Sequence, residues 1–95
     1  MKVYVSPAAA TTVRSLPPET KRRLKAAILG LADDPLGARR GRDVKRFRTH
    51  ARGLAYYRLR IGDWRAVYRI LGERGEVIRV FPRREGYGWM DRLDY

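Results

Sequence analysis

The chain has 95 residues, of which 44% are hydrophobic, 34% charged and 11% aromatic, and its formal net charge is +12. This suits one domain over residues 1–95 with one modest core, too apolar for a disordered chain and without the ~18-residue apolar run of a membrane span. The absence of cysteine and the presence of a single histidine, His50, exclude disulfides, thiolate zinc sites and cysteine nucleophiles, and argue against a His-based metal centre or a Ser-His triad. Residues 1–7 lack the apolar stretch of a signal peptide, so the expected location is cytoplasmic and no membrane partner is expected.

Lysine and arginine number 22 against ten acids, and arginine supplies 18 of the 22. Arginine stays protonated and binds phosphate with a planar fork, so this excess points to nucleic acid or an acidic protein as partner. An arginine-rich genome would account for part of it, and placement has to decide.

Val3 and Val5 alternate with Lys2 and Tyr4 in a short first strand. Ser6-Pro7 then opens a helix to about Ser15, burying Ala9, Val13 and Leu16. Pro17-Pro18 stops it and starts a second helix, with Glu19 in the first turn. Leu24, Ala27, Ile28, Leu31 and Ala32 form the buried stripe of that helix, and Asp33-Asp34-Pro35 ends it. Lys21, Arg22, Arg23 and Lys25 read as a solvated helix face, one that could also meet nucleic-acid phosphates. Residues 37–53 read as a very basic loop with a short strand, carrying Arg39, Arg40, Arg42, Lys45, Arg46, Arg48 and Arg52. Val44 and Phe47 are its expected anchors to the core.

Three strand-like runs follow, at 56–61, 64–71 and 77–81. Gly62-Asp63 suits a two-residue hairpin turn, which sets Ile61 opposite Trp64 and Arg60 opposite Arg65. Gly75 suits the left-handed position of a longer loop, which sets Leu71 opposite Val77, Arg69 opposite Arg79, Val67 opposite Phe81 and Arg65 opposite Arg83. Sorting by alternation puts Tyr57, Leu59, Ile61, Trp64, Ala66, Tyr68, Ile70, Ile78 and Val80 on an apolar face under the helices. The other face carries Arg58, Arg60, Arg65, Val67, Arg69, Arg79, Phe81 and Arg83. A row of Arg60, Arg65 and Arg83 would repel itself by up to ~1 kcal/mol per opposed pair. Such a face suits polyanion phosphates, with Phe81 and Tyr56 as stacking platforms and Lys45, Arg46, Arg48, Arg58, Arg69, Arg79 and Arg84 as further RNA contacts. The fold expected is α+β, with a first strand and a two-helix hairpin on one face of an antiparallel sheet. A short C-terminal helix bearing Trp89 and Met90 could dock on that sheet, or these residues could form an exposed patch. Asp91 and Asp94 are too unsupported for a metal pair.

The stretch Tyr57-Arg58-Leu59-Arg60-Ile61-Gly62-Asp63-Trp64-Arg65-Ala66-Val67-Tyr68-Arg69-Ile70 resembles the RelE/ParE toxin superfamily. The "DP" that ends the helical hairpin and the closing Arg83-Arg84-Glu85-Gly86-Tyr87 extend the likeness over nearly the whole chain. The resemblance implies one toxin domain of a type II toxin–antitoxin pair. Its RelE-type members cleave mRNA on the ribosome without a metal or other cofactor, the 2′-hydroxyl attacking the adjacent phosphate. That step needs in-line positioning, charge stabilisation and proton transfer.

On this resemblance Arg65 and Arg83 are the phosphate-stabilising arginines, Tyr87 stacks near the scissile nucleotide or handles a proton, and Arg58 and Arg60 replace a pair of lysines. Arginine cannot act as a base at ordinary pH, so Lys45 or Tyr87 would have to supply that function. Pro82 stands where many relatives carry histidine, and His50, in the basic loop, reads as a solvated residue. The expected partners are an acidic antitoxin, mRNA and the ribosome. The alternatives are a ParE-like toxin that inhibits DNA gyrase by protein contact, and an inactive relative that only binds RNA or an antitoxin.

Overall fold

Ser6 shows how the chain enters its fold. Its hydroxyl oxygen accepts the Ala9 N–H at 3.1 Å and caps the first helix, where Pro7 takes the first helical position. The same hydroxyl donates to the Ile78 carbonyl at 2.7 Å, and the Ser6 N–H donates to the Val77 carbonyl at 2.9 Å. The first strand, the first helix and the last strand therefore meet at one residue.

The computed structural model describes residues 1–37, 43–47 and 55–89. Strand β1 (Lys2–Val5) leads to α1 (Pro7–Arg14), then α2 (Pro18–Leu29) with a 3-10 turn at Gly30–Ala32. Strands β2 (Asp43–Phe47), β3 (Ala55–Ile61), β4 (Trp64–Leu71) and β5 (Arg74–Pro82) follow, and a 3-10 turn at Arg83–Glu85 succeeds them. Arg39, Arg40, Arg42, Arg48, His50, Arg52, Met90, Asp91 and Asp94 lie outside the described residues.

The five strands run in the order β1-β5-β4-β3-β2. Neighbours β2 to β5 are antiparallel, but β1 joins β5 in parallel, so the sheet is mixed rather than wholly antiparallel. The helices cover one face and bury Ala9, Val13, Leu24, Ile28 and Leu31 against Leu59, Ile61, Ala66, Tyr68, Val77 and Val80. The Tyr68 hydroxyl donates to the Pro35 carbonyl, tying the end of the helical hairpin to the sheet. Val44 packs on this core and Phe47 on the opposite face, so β2 is anchored on both sides. Among the described residues no helix is long and apolar enough to cross a membrane.

The β3–β4 hairpin has the expected register, with Ile61 opposite Trp64 and Arg60 opposite Arg65, and Gly62 supplies the positive φ of 58° that its turn requires. The β4–β5 register differs. The turn is Gly72-Glu73, with Gly72 at φ 60°, and Leu71 faces Arg74 instead of Val77. Gly75 lies within the strand, buried beside the Met1 side chain.

A bulge between Val67 and Tyr68 then shifts the pairing by one residue, so that Val67 faces Arg79 and Arg65 faces Phe81. Arg69, between the turn and the bulge, faces Glu76, not Arg79. Val77 joins the helix-side core, and Ile78 packs on the other face.

Candidate nucleic-acid interface

The outer face of the sheet carries a second apolar cluster as well as arginines. Tyr56, Val67 and Phe81 are buried there, with Phe47, Ile78, Tyr87 and Trp89 packed around them. Tyr87 meets Phe47 and Phe81 edge-on, each at 5.2 Å between ring centroids, and Trp89 meets Phe81 at 5.5 Å. Such edge-to-face pairs contribute about 0.5–1.5 kcal/mol each beyond area burial. Phe81 is 1% exposed and Tyr56 3%, so neither offers a ring face to a base: here they are the floor of the site. Trp89 docks on this floor with Arg79 lying over its ring at 5.1 Å.

Four of the arginines expected on this face are held by acids. Asp43 bonds Arg58 at 3.0 Å and Arg60 at 3.2 Å, Glu76 bonds Arg69 at 2.9 Å, and Glu85 bonds Arg79 at 2.6 Å. The hydrogen bond to Glu76 raises the Arg69 pKa above the ordinary arginine value, against the opposing effect of burial. Arg69 is therefore a fixed positive charge, matched by a carboxylate. Arg46 stands opposite Tyr57 and so shares the helix-side face of edge strand β2, away from the outer face. Lys45, opposite Arg58, is on the outer face and exposed.

Three of the four candidate catalytic residues, Arg60, Arg65 and Arg83, stand at the β3–β4 turn. Arg60 and Arg65 face each other across the hairpin, and Arg65 also faces Phe81. The expected three-strand arginine row is replaced by a corner. Arg83 has left the strand, and its N–H donates to the Asp63 carbonyl at 2.7 Å, which holds it beside the turn. Tyr87 packs between Phe81, which faces Arg65, and Phe47 of β2.

Arg65 is only 5% exposed, and its Nη1 donates to the carbonyls of Gly62 at 2.8 Å and Trp64 at 2.9 Å. It thus satisfies the turn backbone with one edge of its fork, and no described residue bonds the other edge. Among the described residues Arg83, Arg84 and Lys45 make no ion pair.

One contributor escaped the sequence reading. A Cβ built on Gly62 would lie 2.9 Å from Nη1 of Arg23, so that helix residue also overhangs the turn. Its place on the polar face of α2 gave no sign of this, because only the tertiary packing brings α2 over the hairpin. The described residues include no group of three or more His, Cys, Asp or Glu suited to a metal ion.

This fold matches a known class. The family model for the ParE toxin of type II toxin–antitoxin systems matches residues 3–87, and the chain belongs to that family, within the RelE/ParE superfamily. Its structure is similar to the archaeal RelE–RelB complex of Pyrococcus horikoshii, with 24% identity, a TM-score of 0.75, and coverage of 90% of this chain and 97% of that one. It is also similar to the toxin–antitoxin complex RelBE2 of Mycobacterium tuberculosis, with 25% identity, a TM-score of 0.68, and coverage of 86% and 96%. The isolated E. coli RelE toxin matches at 16% identity and a TM-score of 0.56, over 96% of this chain and 93% of that one. No curated protein matches the sequence. The chain is a toxin of the type II toxin–antitoxin class.

Proposed function

We propose that this toxin is a metal-independent endoribonuclease that cuts mRNA on the ribosome and is neutralised by an acidic antitoxin. The observation that carries this reading is the gathering of Arg60, Arg65 and Arg83 at one turn-end of the sheet, with Arg83 unpaired among the described residues and Tyr87 packed on the neighbouring Phe81. The likeness to the toxin–antitoxin complex RelBE2 supports the antitoxin part.

In the reaction the 2′-oxygen bonds to the adjacent phosphorus as its proton leaves. The bond from phosphorus to the 5′-oxygen then breaks as that oxygen gains a proton, leaving a 2′,3′-cyclic phosphate and a 5′-hydroxyl. Arg83 and Arg60 offer charge to the non-bridging oxygens, and Arg65 can add its uncommitted edge. Removing one such donor typically costs about 100- to 1,000-fold in rate. Arginine does not take protons here, so Tyr87 or Lys45 supplies the proton transfer in this reading. The ion pairs of exposed Arg60 and half-exposed Arg79 contribute only about 0–1 kcal/mol each and open readily for a polyanion.

A second reading, inhibition of DNA gyrase by protein contact, is favoured by the ParE identity of the matching family and by the commitment of Arg58, Arg69 and Arg79 to acids. Two assays on one preparation separate them. Fragments bearing 5′-hydroxyl and cyclic phosphate ends from a purified translation system support the nuclease. Loss of gyrase supercoiling with intact mRNA replaces it with the second reading.

A further inference from the structure

Asp43 is the first residue of edge strand β2, and its carboxylate sits between two arginines of β3. Oδ1 accepts from Nη2 of Arg58 at 3.0 Å, and Oδ2 lies 3.2 Å from Nη1 of Arg60. The two guanidiniums are unequal. Arg58 is 8% exposed, and its Nε is buried with no hydrogen-bond partner among the described residues. Arg60 keeps about half of its side-chain surface in water, as Asp43 does. Lys45, opposite Arg58, and Arg65, opposite Arg60, add positive charge on the same face. One carboxylate thus spans two guanidinium groups, an arrangement that a bridging phosphate also makes.

We propose that Asp43 is a built-in counter-anion that occupies the place of an RNA backbone phosphate between Arg58 and Arg60, and so sets the affinity of this face for RNA. The inference rests on the nuclease reading and names a regulator of the same site. A buried arginine carries a large desolvation cost unless a partner attends it, so Asp43 offsets the burial of Arg58 when no RNA is bound. Its own half-exposure lets it release Arg60 towards an incoming phosphodiester. The exchange swaps one negative charge for another, so the pair gains little net charge neutralisation from a single phosphate. Weak grip by any one phosphate leaves discrimination to the Arg83 corner, where the chemistry occurs. Asp43 acts through Arg58 and Arg60 and is a positioning residue.

The test uses the full chain with Asp43→Asn, Asp43→Glu and Arg60→Gln, and two probes, inorganic phosphate by thermal shift and a short single-stranded RNA by anisotropy over a salt series. Asp43→Asn should bind the RNA roughly tenfold tighter at low salt, as expected for one added charge-assisted contact. Its logarithmic salt slope should steepen by about 0.7, the share of one more neutralised phosphate on a single strand. Phosphate should raise the Tm of Asp43→Asn more than that of the parent, and Asp43→Glu should behave as the parent does.

An Asp43→Asn protein that folds and keeps the parental affinity, slope and phosphate response overturns the proposal. If that variant does not fold, Arg60→Gln decides: loss of the phosphate response supports the exchange, and its persistence overturns it. A gain with polyglutamate but with neither phosphate nor RNA also overturns it. The expected phosphate pattern without any RNA binding leaves the Asp43 exchange standing and removes the nuclease reading instead.

Discussion

Replacing Phe81 by leucine removes the ring that Tyr87 and Trp89 meet edge-on at 5.2 and 5.5 Å. Leucine still fills much of the site, so the loss is chiefly the two ring pairs, each contributing about 0.5–1.5 kcal/mol, and we expect about 2 kcal/mol in all. That is a large share of a fold stabilised by about 5–15 kcal/mol, and corresponds to a fall in Tm of roughly 10 °C for a domain of this size.

Urea denaturation followed by tryptophan fluorescence measures the loss as a lower midpoint at unchanged slope. RNA affinity, taken where both proteins are fully folded, should change by less than about twofold, because a ring with 1% exposure cannot stack on a base. A base platform would behave in the opposite way, since truncating one costs about 1–3 kcal/mol of binding per base. Unchanged stability with tenfold weaker RNA binding would refute the assignment of Phe81 to the floor of the site.

The remaining substitutions probe the corner and the frame behind it. Arg83→Ala, at an exposed residue without an ion pair among the described residues, should alter stability by less than about 0.5 kcal/mol while lowering mRNA cleavage about 100-fold or more, read by denaturation and by cleavage rate. Gly62→Ala places a side chain at φ 58° and 2.9 Å from Arg23, and should cost about 1–2 kcal/mol, seen as a lower Tm. It should also weaken cleavage, because the same turn carries the Asp63 carbonyl that holds Arg83. Tyr68→Phe takes the donor from the Pro35 carbonyl and should cost about 1–2 kcal/mol in urea denaturation without changing RNA affinity.

Much of the frame was legible because it rests on local chemistry. Ser6-Pro7 and Pro17-Pro18 set the helix starts, and the spacing of Leu24, Ile28 and Leu31 set the buried face. Gly62-Asp63, as the two-residue turn between β3 and β4, specified one register in full. The second hairpin offered two glycines, Gly72 and Gly75, and nothing local decides between them. The choice of Gly75 displaced the register by three residues at Leu71. The bulge returned one, which kept Arg79, Val80 and Phe81 on their expected faces but exchanged Val77 and Ile78.

That bulge is stabilised by Ser6, some 70 residues away in sequence, so a reading of the strand alone could not find it. The same distance in sequence explains the site. Alternation marked the arginines, but their pairing with Asp43, Glu76 and Glu85 depends on strand neighbours and on the turn after β5. Nor could alternation show that Tyr87 and Trp89 fold back to cover Phe81.

The most direct test of the account is primer extension on an mRNA translated in a purified system, with the toxin and with its Arg83→Ala variant. Discrete cuts inside codons at ribosome-occupied positions, present with the parent and lost with the variant, are the result predicted. Intact mRNA with both proteins, or equal cutting by both, would contradict an RNA-cleaving site built around Arg83.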